Sequence, residues 1–261
     1  MSNDIFKKRR KGSLQFFSLL IFLTIGSIII TQYDIIKGLT GFYKALEWGV
    51  SNFYPDASSL KELPRILPEM LETVLMSIAA TVVASVFALL LSLAGSKATR
   101  INVLFSIVSR GIASLFRNIP LVAWAMVLML SFGQSSLTGF IALFFGSFGF
   151  LTRAFMETID EVENNSIEAL RAAGGSYFHI VFQAVLPASM PQIISWLLYM
   201  IETNIRDATL VGVLTGTGIG FSFELYYSRF DYHAASLVVI LIVITVILIE
   251  IISNNIRRVI L

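Results

Sequence analysis

The stretch Ser166-Ile167-Glu168-Ala169-Leu170-Arg171-Ala172-Ala173-Gly174-Gly175, followed by Leu186-Pro187, lies between two long apolar runs. Glu168 to Ala173 are good helix formers. Ser166 stands where an N-cap is expected, and Gly174 and Gly175 are natural terminators. The spacing predicts a helix of about two turns, then a second short helix, then a proline stop at Pro187. Such a segment can be an ordinary loop that happens to be helical. A short rigid helix carrying an acid, small residues and a glycine is also a shape that a partner protein can grip.

Outward from this stretch, the chain is mostly apolar. Of 261 residues, 56% are hydrophobic and only 14% charged, about half the charged share of a soluble domain. Mean hydropathy is +0.80. No soluble core could hide so much apolar surface, whereas a bilayer can, because there lipid is the solvent. The net charge of +2 implies no polyanion partner, and nucleic acid is not expected. The absence of cysteine excludes disulfides, thiolate metal sites and cysteine nucleophiles. Only His179 and His233 are present, far apart in sequence, so a histidine metal centre is not expected.

The expected architecture is an all-α integral membrane protein with about six transmembrane helices. A basic cluster, Lys7 to Lys11, precedes an apolar run from Leu14 to Ile30. At roughly 17 residues this run can span a bilayer. No small-residue cleavage site follows it, so it reads as a retained first helix. Residues 33 to 66 are mixed, and Trp48, Phe53 and Tyr54 suggest a segment lying at the interface. Further spans are expected at about 68–95, 119–132, 137–156, 191–214 and 233–253. The run from Ile101 to Phe132 is divided by Arg110, Arg117, Asn118 and Pro120. Pro120 breaks helical pairing and restricts Ile119. A helix near the cytoplasmic interface, ending at about Phe116, is expected before it. The chain therefore divides into residues 1–64 (tail, first helix, extracytoplasmic segment) and a main transmembrane domain, 65–261, with a cytoplasmic loop at about 157–190.

Charge asymmetry sets the orientation. With the N-terminus inside, the inner segments hold Lys7, Lys8, Arg9, Arg10, Lys11, Lys97, Arg100, Arg171, Arg257 and Arg258. The outer ones hold Lys37, Lys44, Lys61, Arg65 and Arg229. Ten bases against five place both termini, and the 157–190 loop, in the cytoplasm.

That loop resembles the EAA segment of ABC importer permeases: Glu-Ala-Ala, a glycine, then Ile-x-Leu-Pro. Here it reads Glu168-Ala169, Gly174 and Leu186-Pro187, with Leu170 at the second alanine and Ala184 at the isoleucine. Other stretches are similar to the phosphonate-type permeases. They are Arg117-Asn118-Ile119-Pro120 with Trp124-Ala125, Gly149-Phe150-Leu151, Glu202 to Thr209 running into Gly212 and Gly216 to Gly220, and Phe230-Asp231-Tyr232. Together they cover the chain from about residue 65 onward. A glutamate usually follows the proline of the Arg-x-x-Pro stretch, and Leu121 stands there instead.

The resemblance implies a type I importer permease (MetI-like) fold in a bacterial inner membrane. It implies a dimer of permease chains, identical or homologous, two ABC ATPase subunits and an extracytoplasmic substrate-binding protein. Glu168, Ala169, Leu170, Ala172, Ala173, Gly174, Leu186 and Pro187 would then dock on the ATPase. Phosphonate, phosphite, hypophosphite or a phosphate ester would be the substrate. Another small solute, such as an amino acid, is the alternative. No cofactor is expected on this chain, with ATP and Mg on the ATPase. A secondary transporter or channel would not need a docking helix, and a membrane enzyme would need convergent acid, base or metal ligands.

Ionisable residues within spans are costly and are functional candidates. Glu202 and Arg206, four apart, can pair on one helix face, with Asn204 and Asp207 nearby. They either pin helices together or line a translocation path or gate. Arg117, with Asn118 and Pro120, either snorkels to the inner interface or sits at the mouth of that path. Gly216-Thr217-Gly218-Ile219-Gly220 lacks the spacing of a dinucleotide loop, and no phosphate-loop motif occurs in the chain. These glycines suit an irregular outer loop or close helix contact.

Overall fold

A computed structural model describes residues 2–162 and 164–260. The described residues are helical, with no strand among them. They form two compact units, Met1–Tyr54 and Pro55–Leu261.

The first unit contains α1 (Ser2–Thr31) and α2 (Ile35–Asn52). Its Arg9–Thr31 portion is long and apolar enough to cross a membrane. The helix stops where Gln32 adopts a left-handed φ of 51° and Tyr33 N–H donates to the Ile28 carbonyl at 3.1 Å. Asp34 then caps α2, its carboxylate accepting from Lys37 N–H at 3.0 Å. The interfacial segment expected for residues 33–66 is thus mostly this regular helix.

The second unit starts with a 3₁₀ turn (Ser59–Glu62) and α3 (Leu63–Gly95), followed by α4 (Val103–Asn118), α5 (Leu121–Phe132) and α6 (Ser136–Asp160). After α6 come α7 (Asn164–Ala172) and α8 (Tyr177–Ile180). A π turn (Val181–Val185) then leads into α9 (Leu186–Thr215), α10 (Gly218–Ser228) and α11 (Tyr232–Ile260). Among the described residues of the whole chain, five stretches are long and apolar enough to span, or six if the α4–α5 pair counts as one crossing.

The core is a three-helix contact of α3, α6 and α9. The buried face of α3 is made of small residues, including Ser77, Ala80, Thr81, Ala84, Ala88 and Ser92. Small residues let helices approach closely where lipid supplies no hydrophobic drive. Between α4 and α5 the chain bends by 89°. Ile119 is extended (φ −87°, ψ 121°), as a residue before proline must be. The elbow rests on Gly149 of α6, where a Cβ would lie 2.5 Å from Arg117 N and 2.7 Å from the Phe116 carbonyl carbon.

Two local expectations change and a third is resolved. Ser166 lies inside α7, which starts two residues earlier, so Ser166 is not its cap. Pro187 is not a stop. It lies where the π turn passes into α9, and the chain stays helical from Tyr177 to Thr215, so its missing N–H removes one main-chain hydrogen bond of that path without ending it. Of the two readings of the glycines after Gly216, an irregular loop or close helix contact, the second holds: the chain there is α10, which crosses α9 closely. A Cβ on Gly212 would lie 2.5 Å from the Thr217 carbonyl, and one on Gly220 would clash with the Thr209 carbonyl.

Candidate functional site

The elbow at Pro120 and the middle of α9 together wall a cavity of about 340 Å³. Arg117, Ile119, Pro120 and Leu121 line one side, and Tyr199, Met200, Thr203, Asn204 and Asp207 line the other. The structure therefore brings together Arg117, Pro120, Asn204 and Asp207. Tyr199 and Thr203 join them, although neither carries a charge or motif that would single it out in the sequence. Asn118 instead lines a smaller cavity of about 140 Å³ with Ser114, Arg153 and Arg117. Arg117 borders both cavities and has no hydrogen-bond or ion-pair partner among the described residues.

Glu202 and Arg206 do pair, Nη2 to Oε1 at 3.0 Å, on the same helix face as their spacing requires. Neither lines the larger cavity. Glu202 is buried and Arg206 half-exposed. The cavity thus presents one cation, Arg117, and one carboxylate, Asp207, rather than an Arg206-based positive lining.

Asn204 is buried and works as a joint as well as a wall. Its Nδ2 donates to Thr81 Oγ1 at 2.7 Å and Ser147 Oγ at 2.6 Å. The Ser77 hydroxyl donates to its backbone carbonyl at 3.2 Å. One amide thus ties α3, α6 and α9 beside the cavity. The hydroxyls of Ser77, Thr81 and Ser147 are ordinary in the sequence, because a lone serine or threonine in an apolar run gives no sign of its partner.

At the other end of α6, Asp160 gathers a second joint. Its Oδ1 accepts from Ser96 Oγ at 2.5 Å and Lys97 N–H at 2.6 Å, and its Oδ2 accepts from Arg110 Nη2 at 3.2 Å. Arg110 Nε also donates to the Gly95 carbonyl at 3.2 Å. The carboxylate thereby fixes the ends of α3 and α6 to α4. Nothing local in Asp160-Glu161 marks it, since its partners lie 50 or more positions away.

The α7–α8 segment leaves this joint directly. Gly174, with φ 79°, ends α7, and Gly175 N–H donates back to the Leu170 carbonyl at 2.9 Å. This is the glycine-capped helix end that the sequence predicts. Ile167 is buried against Ile159, Ile180 and Val185, with Leu170 packed beside them. Glu168, Ala169, Ala172, Ala173, Gly174 and Pro187 are exposed, while Leu170 and Leu186 are half-buried. Two large side chains absent from the sequence-based set, Phe178 and Phe182, are also exposed. They stand about one helical turn apart. An exposed patch of two rings and a small-residue helix, held on a fixed apolar base, is suited to entering a groove on another protein.

Among known structures, the methionine ABC transporter MetNI in its inward-facing conformation matches with a TM-score of 0.68. The match covers 75% of this chain and 96% of that chain at 22% identity, which establishes the MetI-like type I permease fold. A phosphate-import permease protein of Mycolicibacterium smegmatis is 32% identical over 54% of this chain and 26% of its own length. A phosphite transport system permease protein of Stutzerimonas stutzeri is 30% identical over 65% of this chain and 62% of its own. The chain thus spans less than two thirds of either curated relative. The family model for binding-protein-dependent transport system inner membrane components matches residues 90–260, from the end of α3 through the α4–α5 elbow, the α7–α8 segment and α11, and the chain belongs to that family.

Proposed function

We propose that this chain is the membrane-spanning subunit of an ATP-driven importer for a phosphonate or related phosphorus oxyanion, such as phosphite or a phosphate ester. The observation that carries the reading is the exposed α7–α8 patch, fixed by its own apolar base between α6 and α9. Two ATPase subunits would grip two such patches, one on each of two permease chains, and would hold the ATP and Mg. An extracytoplasmic binding protein would deliver substrate, so most selectivity would reside there. Both termini and the α7–α8 segment would face the cytoplasm of a bacterial cell with an inner membrane.

The unbroken helical path from Tyr177 to Thr215 supports a mechanical route. Movement of α8 would reach Tyr199, Asn204 and Asp207 along α9, and π turns are frequent at functional points in helices. Arg117, with Asn118 and Pro120 at the elbow, would offer the passing oxyanion a cation, while Asp207 would disfavour a long stay. The Glu202–Arg206 pair would brace α9 beside this path. Substrate class is supported by the phosphate-import and phosphite relatives, and by nothing specific in the cavity.

The test is reconstitution with the cognate ATPase and binding protein. Exposed Gly174 has a left-handed φ, and a Cβ added there would meet nothing within 4 Å, so Gly174→Trp strains the end of α7 and adds bulk to the patch without touching the core. Loss of ATPase association, or ATP hydrolysis uncoupled from uptake, is expected. Uptake of the oxyanion in vesicles lacking any ATPase would refute the proposal.

A further inference from the structure

The helix α2 has an apolar face that nothing in its own unit covers, and no residue of it is buried. Ile35, Ile36, Leu39, Phe42, Tyr43, Leu46 and Val50 recur at helical spacing and fall within an arc of about 120° at 3.6 residues per turn. Ile36 is 75% exposed and Val50 80%. Lys37, Thr40, Lys44, Ser51 and, by register, Trp48 fall on the other side. The three charges Lys37, Lys44 and Glu47 make α2 a poor span, and it is not among the helices fit to cross a membrane.

Its position names the occupant. The part of α1 long and apolar enough to cross a membrane ends at Thr31, and α2 starts at Ile35. Even fully extended, that link reaches only about 14 Å, and its built turn makes it shorter, so α2 starts close to where α1 ends. The turn is built rather than loose. Gln32 is left-handed, Asp34 caps α2, and the Tyr33 ring lies against Gly38, where a Cβ would clash with its hydroxyl.

We propose that α2 is an interfacial helix whose Ile36–Leu39–Tyr43–Leu46–Val50 face binds the lipid surface of the leaflet in which α1 ends. Apolar burial supplies the attachment, as for other helices with a strong apolar face lying in the membrane plane. The lysines point to water, so anionic lipid is not required. Lipid binding by α2 involves the first unit alone and holds for either orientation of the chain, so it stands or falls separately from the transport reading.

The lack of cysteine makes the test direct. Single variants Leu39→Cys, Leu46→Cys and Val50→Cys, and Thr40→Cys, Lys44→Cys and Ser51→Cys, are made in the full chain. Each is spin-labelled and reconstituted into phosphatidylcholine vesicles, with and without phosphatidylglycerol. Collision rates with oxygen and with a water-soluble nickel chelate are then compared. The expected result is a severalfold higher oxygen-to-nickel ratio at the first three positions, alternating with helical period, in both lipid mixtures. Equal nickel access on both faces would overturn the proposal. So would apolar positions shielded from both reagents, which would indicate a protein occupant, or protection seen only with phosphatidylglycerol.

Discussion

Asp160 accepts from two donors on the link after α3 and from one on α4, so its removal strands several groups at once. Breaking a charge-assisted, partly buried contact costs about 2–3 kcal/mol. Asp160→Ala should lower thermal stability of the detergent-purified protein by that order. Asp160→Asn should lose less, because its amide oxygen can still accept from Ser96 and Lys97. If both melt like the parent, the joint contributes nothing. Asn204 offers a second case. Asn204→Ala leaves the Thr81 and Ser147 hydroxyls without their shared partner, at a cost of about 0.6–2 kcal/mol for polar contacts between membrane helices. Unfolding followed by tryptophan fluorescence should show the loss. Neither cost can be read from residue type alone, because it depends on partners brought from distant positions.

At the scale of elements, the α4–α5 elbow depends on one glycine. Gly149→Ala would push a methyl into the backbone of Phe116 and Arg117, which cannot yield without reshaping the bend. Overpacking of this kind costs about 1–3 kcal/mol. Gly146→Ala is the control, because its Cβ would meet only the flexible end of Leu121 at 3.3 Å. Melting temperatures should fall for the first and hold for the second. The α7–α8 segment gives the opposite expectation. Phe178→Ser with Phe182→Ser removes exposed rings only, so stability should hold while association with the ATPase, measured by co-purification, falls at least tenfold. Retained association would remove these rings from the docking surface. The helix in this segment and its glycine stop were legible in the sequence. The two rings were not, because phenylalanine in an apolar protein carries no sign of which way it faces.

For the whole molecule, counting the bent pair as one crossing gives six. An even number returns the chain to the side on which it starts. Under the proposed orientation, Glu168→Cys and Arg258→Cys should resist a membrane-impermeant maleimide in intact cells, while Lys61→Cys and Arg229→Cys react. Reaction at Glu168→Cys from outside would reverse the orientation and remove the basis for ATPase docking.

Composition and periodicity alone settle that the chain is a helical membrane protein broken at Pro120, because apolar run length and proline's missing N–H are local properties. The glycine-ended segment before Pro187 is equally local, and its motif points to the permease family. What only the tertiary structure decides is which polar groups meet. It places Asn204 on Thr81 and Ser147, Asp160 on Ser96 and Arg110, and Arg117 rather than Arg206 on the cavity. It also carries the helix through Pro187 rather than ending it there. Hydrogen bonds and close backbone contacts depend on distances between segments far apart in the chain, and no spacing along the sequence encodes them directly.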